Sequence, residues 1–184
     1  MPERELGALA AAAAGGDRDA LTQLIRLTQH DLVRFLAPLC GPGEAEDLAQ
    51  ETYLRAIRAL PEFEARSSVR TWLFAIGRRV AADAVRKATR RPRIASLADW
   101  RTAADTAAEH DRFEEQHALG DLLAALAPER REAFVATQIS GLSYAEAAQV
   151  CGCPVGTVRS RVARAREDLV AAMHGDGWHR SATG

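Results

Sequence analysis

The chain has 184 residues, a formal net charge of −1 at pH 7, 47% hydrophobic residues and 5% aromatic residues. That length holds one domain or two small ones. No apolar run reaches membrane-spanning length, and the start MPERELGALAAAAAGG puts acids where a signal peptide needs a basic region, so a soluble, cytoplasmic protein without membrane insertion is expected.

The near-zero net charge hides a segregated distribution. Between Arg66 and Arg93 the basic residues are Arg66, Arg70, Arg78, Arg79, Arg86, Lys87, Arg90, Arg91 and Arg93, and Asp83 is the only acid. Acids collect instead in 44–51 and 99–115. Such a chain presents one surface to a polyanion and gives its acidic faces another task.

Residues 1–16 read as an N-terminal tail. Asp17 is a helix cap, and Leu21, Leu24, Ile25, Thr28, Leu32, Phe35 and Leu36 keep a helical period up to Leu39. Gly41-Pro42-Gly43 breaks that helix. Glu44 to Leu60 forms the next, with Glu44, Glu46 and Asp47 in the first turn, where the helix dipole favours them. Leu48, Tyr53 or Thr52, Ala56 and Ile57 are expected inside, and Asp47, Gln50, Glu51 and Arg55 outside.

Pro61 ends the second helix, and Glu62 to Ser68 is a short loop. Ser67 or Ser68 caps a third helix running from Val69 to about Thr89. Its apolar stripe is Val69, Trp72, Leu73, Ile76, Val80 and Ala84. Arg70, Arg78, Arg86 and Lys87 lie mostly off that stripe. A basic helix beside a loop containing Phe63, Arg66, Ser67 and Ser68 suits single-stranded DNA, with phosphates on the arginines and a splayed base in the loop. Trp72 belongs to the core, because it sits on the stripe.

Residues 92–116 show no sustained period and read as a linker between two domains. Trp100 within it either docks locally or inserts into a partner. A short helix covers His117 to Leu126, and Ala127-Pro128 starts another that stops at Gly141.

Gly141 to Arg166 reads as two helices joined by a tight turn. Ser143 and Glu146 form an S-x-x-E capping box, so a helix starts at Tyr144, and Leu142 staples onto Ala147. Ala147 and Ala148 are small enough for a close crossing. Gly152 supplies the turn, and Pro154 suits the first turn of the following helix. Val158, Val162, Ala165 and Leu169 make one apolar stripe. Arg159, Ser160, Ala163 and Arg164 lie off it. A helix-turn-helix enters the major groove this way, and arginine grips guanine there with two hydrogen bonds. Residues 175–184 read as a C-terminal tail.

The three cysteines, Cys40, Cys151 and Cys153, make no disulfide framework. Cys151 and Cys153 are small hydrophobes at a helix crossing, because a zinc site would need further ligands nearby. His30, His110, His117, His174 and His179 are scattered, and no nucleophile–base pair appears. No catalytic residue, metal or cofactor is predicted, so the chain is expected not to be an enzyme. A simple helix-turn-helix repressor would leave Glu44–Arg93 without a purpose.

Three stretches carry a family resemblance. CPVGTVRSRVARAR resembles the region 4 helix-turn-helix of extracytoplasmic-function (ECF) sigma factors of bacterial RNA polymerase. AEDLAQETYLRAI resembles their region 2.2, and SSVRTWLFAIGRRVAADAVRK their regions 2.3 and 2.4. The resemblance covers about Asp17 to Thr89 and Ala118 to Met173. It implies an all-α protein of two small helical domains: region 2 at 17–91 and region 4 at 117–174, joined by a flexible linker. It implies that Asp47, Gln50, Glu51 and Tyr53 dock on the clamp helices of the polymerase largest subunit. Phe63, Arg66, Ser67 and Ser68 would capture a base flipped from the −10 element, with Arg70, Arg78, Arg79, Arg86 and Lys87 on nearby phosphates. Arg159, Ser160, Ala163 and Arg164 would read the −35 duplex, with Thr157 and Arg161 on its backbone. The acidic linker would thread toward the RNA exit path. An anti-sigma factor is the further partner the resemblance implies.

Overall fold

A computed structural model describes residues 3–90 and 119–174, and the described residues contain helices and turns but no strand. The expected linker with Trp100, and the C-terminal tail, lie outside the described residues.

The first departure from the sequence reading is at the start. Glu3–Ala14 is a helix, α1, where a tail was expected. It buries Leu6 and Ala10, one turn apart, against Leu24, Leu60 and Val69. Helix α2, Arg18–Cys40, follows. Its cap is Asp17, whose carboxylate accepts from the N–H groups of Asp19 at 2.9 Å and Ala20 at 3.0 Å. Leu24, Thr28, Leu32, Phe35 and Leu36 are buried as the period predicted, Leu21 and Ile25 are half-buried, and Leu39 is buried as well.

Helix α3, Pro42–Ala59, runs back along α2 and ends in a 3₁₀ turn, Leu60–Glu62. Its buried residues are small: Ala45, Ala49, Thr52 and Ala56. That narrow stripe lets neighbouring helices come close. Leu48 packs against the core as expected, but Ile57 is 39% exposed, because the alanine and threonine stripe already faces the core.

Helix α4, Val69–Arg90, is capped by Ser68, whose hydroxyl accepts from the N–H of Thr71 at 3.0 Å. Val69, Leu73 and Val80 are buried as expected, and Trp72 and Ile76 partly so. Thr71, Phe74, Gly77 and Ala81 are buried too. Helix α4 is therefore covered on two sides. On one side Gly77 faces α2 and α3: a Cβ there would meet Leu32 Cδ1 at 3.1 Å and Thr52 Cγ2 at 3.6 Å. Phe74 stacks on Phe35, with ring centroids 4.6 Å apart and planes within 5°.

The other side of α4 meets the second half of the chain. Residues 119–125 form a short helix, α5. Helix α6, Pro128–Phe134, continues as a π-helical turn, Val135–Ile139. Helices α7, Tyr144–Cys151, and α8, Val155–His174, complete the fold. One apolar core joins Leu32, Phe35, Leu36 and Phe74 to Ala136, Ala147, Val150, Val158 and Val162. The two halves thus pack together along α4. Substituting Phe74→Ala should destabilise the protein by about 3–5 kcal/mol, from lost burial plus the cavity left. Urea unfolding followed by circular dichroism measures it.

Candidate nucleic-acid and partner interfaces

The turn between α7 and α8 follows from local chemistry. Ser143 Oγ accepts from the N–H of Glu146 at 3.2 Å, and Glu146 Oε2 accepts from the N–H of Ser143 at 2.8 Å. This is the reciprocal capping box. Gly152 takes the left-handed conformation, φ 64° and ψ 37°, which ends α7. Pro154 sits just before α8, not inside its first turn, and its carbonyl accepts from Thr157 at 2.9 Å and Val158 at 3.1 Å.

Helix α8 then divides into two faces. Val158, Val162 and Ala165 are at most 1% exposed. Arg159, Ser160, Ala163 and Arg164 are exposed, one turn apart on the opposite side. The Arg159 guanidinium lies 5.8 Å from the Tyr144 ring centroid. The Ser160 hydroxyl donates back to the carbonyl of Thr157 at 3.0 Å. Thr157 and Arg161 are half-buried, and Arg161 Nη1 lies 3.5 Å from Cys153 Sγ. Burial pushes the Cys151 thiol up to about 11, with Glu132 and Cys153 adding to it. A thiol that stays protonated at neutral pH is a poor nucleophile and metal ligand.

The arginines of α4 fall into two groups. Arg70 and Arg78 turn to the second half. Arg70 Nη2 donates to the carbonyl of Ser140 at 2.7 Å and pairs with Asp31 at 3.2 Å, with its guanidinium 5.2 Å from the Phe74 ring centroid. Arg78 Nε donates to Glu132 Oε2 at 2.7 Å. From α2, Arg34 Nη2 donates to the carbonyl of Ile139 at 2.5 Å. Thr71 Oγ1 also lies 3.5 Å from Glu146 Oε1. In this arrangement Arg70 and Arg78, expected on phosphates, are held by protein groups instead. Arg79 and Lys87 are exposed, and Arg86 pairs with Asp83 at 2.5 Å.

The loop before α4 is held by contacts within it and with its neighbours. Phe63 packs on Trp72, with centroids 4.8 Å apart. Ser67 Oγ donates to the carbonyl of Ser68 at 3.2 Å. Arg66 pairs with Glu64 and is otherwise exposed. Ala65 has φ 52°, a conformation that L-residues adopt seldom.

On α3, Asp47 and Gln50 are exposed. Glu51 pairs with Arg55 at 2.8 Å, and Arg55 reaches Asp83 of α4 at 3.2 Å. Tyr53 does not share their face. It turns inward, with its hydroxyl 2.8 Å from Thr28 Oγ1, and burial pushes its pKa up. Leu54, which the sequence reading did not single out, is 53% exposed one turn beyond Gln50 and Glu51. The signal was available: Leu54 lies off the Ala45, Ala49, Thr52 and Ala56 stripe.

Two faces that suit an acidic partner, one on α8 and one on α4, and a polar face on α3 thus coexist on one all-α chain. Residues 24–91 match the family described as Sigma-70 region 2, and residues 116–169 match Sigma-70, region 4. The chain is 50% identical over 169 residues to the ECF RNA polymerase sigma factor SigC of Mycobacterium tuberculosis, covering 92% of this chain and 91% of that one. The chain belongs to the ECF sigma factors.

A second relative is the ECF RNA polymerase sigma-E factor of Escherichia coli K12, 30% identical over 173 residues, with 84% of this chain and 86% of that one covered. The fold resembles that of CnrH in complex with the cytosolic domain of CnrY, with a TM-score of 0.71, 30% identity and 92% and 97% of the two chains covered. It also resembles the sigma factor RpoE in complex with the anti-sigma factor NepR from Bartonella quintana, with a TM-score of 0.66, 31% identity and 85% and 98% covered. As an ECF sigma factor the chain binds core RNA polymerase, recognises −35 and −10 promoter elements and promotes promoter melting. Sigma factors are transcription initiation factors and not enzymes. No helix among the described residues is long and apolar enough to cross a membrane.

The capping box makes this sigma factor acid-sensitive. Hydrogen bonds from the Ser143 side chain, above all, hold the Glu146 carboxyl below its ordinary value of 4.5. A depressed carboxyl stabilises the fold above its unfolded pKa, and that stability is lost as pH falls through the folded one. Between about pH 5 and about pH 3, wild type should lose more stability than Glu146→Gln. Urea titrations across that range compare the two.

Proposed function

We propose that the three surfaces divide the work of initiation as follows. Asp47, Gln50 and Glu51 on α3, with Leu54 beside them, dock on the clamp helices of the polymerase largest subunit. Exposed charges of this kind steer and orient the encounter, and the apolar Leu54 adds buried area. Tyr53 contributes from below, by fixing α3 to Thr28 of α2.

The −35 element is read as duplex by α8. Arg159, Ser160, Ala163 and Arg164 meet base edges, and Thr157 and Arg161 meet phosphates. The observation that carries this reading is the division of α8: a fully buried stripe opposite an exposed one that presents Arg159 and Arg164. Arg164 makes no hydrogen bond or ion pair with another described residue, so its five donors are free for guanine. Ala163 leaves room for a base step between the two arginines.

The loop Phe63–Ser68 takes a base extruded from the −10 non-template strand. Extrusion costs a few kcal/mol, which the pocket and backbone contacts offset. Arg79, Arg86 and Lys87 hold phosphates alongside. Arg70 and Arg78 join them once they exchange Ser140, Asp31 and Glu132 for DNA. Melting then draws on binding to the single-stranded form and needs no nucleotide hydrolysis. The factor works in the cell interior, where polymerase is. Control by an anti-sigma factor fits the similarity to RpoE, whose solved structure is a complex with one.

Run-off transcription with core polymerase, on templates with and without matched −35 and −10 elements, tests the whole reading. Arg164→Ala should weaken −35 duplex binding by about 1–3 kcal/mol at the matched sequence and leave unrelated DNA unaffected. Fluorescence anisotropy on both duplexes separates a base contact from a phosphate contact. Asp47→Ala should weaken core polymerase binding by about 1 kcal/mol with an unchanged melting curve, because the side chain is exposed. Native gel titration of holoenzyme gives the first number.

A further inference from the structure

Glu3 opens α1, yet its carboxylate reaches the start of α4. The N–H of Val69, the first residue of α4, donates to Glu3 Oε1 at 2.7 Å across 66 residues of sequence. The N-terminus of α4 therefore has two caps: Ser68 on the N–H of Thr71, and Glu3 on the N–H of Val69. The carboxylate also meets the positive end of the helix dipole.

The apolar face of α1 acts at the same place. Leu6 and Ala10 form one buried cluster with Leu24, Leu60 and Val69, and Phe63 and Trp72 pack against it. Leu60 and Val69 are the two ends of the segment that contains Phe63–Ser68. Helix α1 thus grips the loop where it leaves α3 and where it enters α4. Between these clamps Ala65 is kept at φ 52°. Such a conformation persists only where surrounding contacts hold it.

A carboxylate beside a loop meant for DNA repels phosphate, so its return must lie in the loop's shape. Ordering a loop costs conformational entropy for each residue fixed. A loop already held in its binding form does not incur that cost when the ligand arrives. We propose that α1 braces the base-capture loop and that Glu3 is a positioning residue for capture, holding Phe63–Ser68 in the form that receives an extruded base. This inference rests on the reading of that loop as the base-capture element.

The test uses holoenzyme and a promoter whose −10 region is already melted, with abasic sites placed one at a time along the non-template strand. Wild type should lose affinity about tenfold at one abasic position, the usual scale of a single stacked base. Glu3→Ala should bind the intact strand about tenfold more weakly and lose most of that abasic penalty. Glu3→Gln keeps an acceptor oxygen for the Val69 N–H and should stay close to wild type. Binding to −35 duplex and assembly with core polymerase should be unchanged in both variants. An undiminished abasic penalty in Glu3→Ala overturns the role of Glu3 and leaves base capture standing. A loss that extends equally to −35 duplex marks Glu3 as a general stability residue and also overturns it. No abasic penalty at any position in wild type overturns the loop assignment, and this inference with it.

Discussion

The stack of Phe74 on Phe35 ties the molecule together. It fixes α4 to α2, and Arg70 lies over the Phe74 ring while donating to Ser140 of the second half. One side of α4 is therefore core for region 2, and the other is floor for the helix-turn-helix. A helix in that position has little freedom of sequence. Gly77 faces Leu32 at a distance that leaves no room for a methyl group without movement. Small residues along α3 follow from the same crowding.

The contrast between α4 and α8 follows from their places. Both are arginine-rich. On α8, Arg159 and Arg164 stand opposite a stripe of valine and alanine and point to solvent, while Arg161 and Arg166 reach Cys153 and Gln138. On α4 the second half covers the basic side, and Glu132, Asp31 and the Ser140 carbonyl supply the counter-charges. Partial burial makes the pairing at Arg78 consequential, because a guanidinium half removed from water needs its donors met; at Arg70 the buried Nε stays without a partner. The exposed pairs at Arg66 and Arg86 carry far less weight.

Local features were legible in the sequence, and distant ones were not. Ser143, Glu146 and Gly152 act within a few residues of themselves, so spacing alone located them. Val158, Val162 and Ala165 likewise declared the buried face of α8. The second covered side of α4 was hidden, because nothing in the spacing of Arg70, Thr71 and Arg78 says that a segment many residues later will meet them. Helix α1 was missed because its buried face is only Leu6 and Ala10, too small a stripe to stand out in an alanine-rich run. The cap that Glu3 gives Val69 has no signature within either segment. On α3 the helical period allowed Tyr53 or Thr52 to face inward, and both do, with the Tyr53 hydroxyl meeting Thr28 on α2. Of the residues that the family resemblance singles out, Asp47, Gln50, Arg159 and Arg164 are exposed.

One detail of the seam bears on ionic strength. Arg34 and Arg70 donate to the carbonyls of Ile139 and Ser140, at the C-terminal end of the α6 helix and its π turn. A helix C-terminus offers roughly half a negative charge, whereas a DNA phosphate offers a whole one. In dilute salt a phosphate is thus the stronger attractor for Arg34, whereas Arg70 already has the whole charge of Asp31 beside it. Added salt largely screens exposed charges separated by more than a Debye length, about 10 Å at 0.1 M, and acts less on partly buried contacts. Contacts between a protein and DNA phosphates in general weaken with salt as counterions compete for the DNA. Rising salt therefore acts more on the exposed arginines of α8 than on the partly buried arginine contacts of the seam.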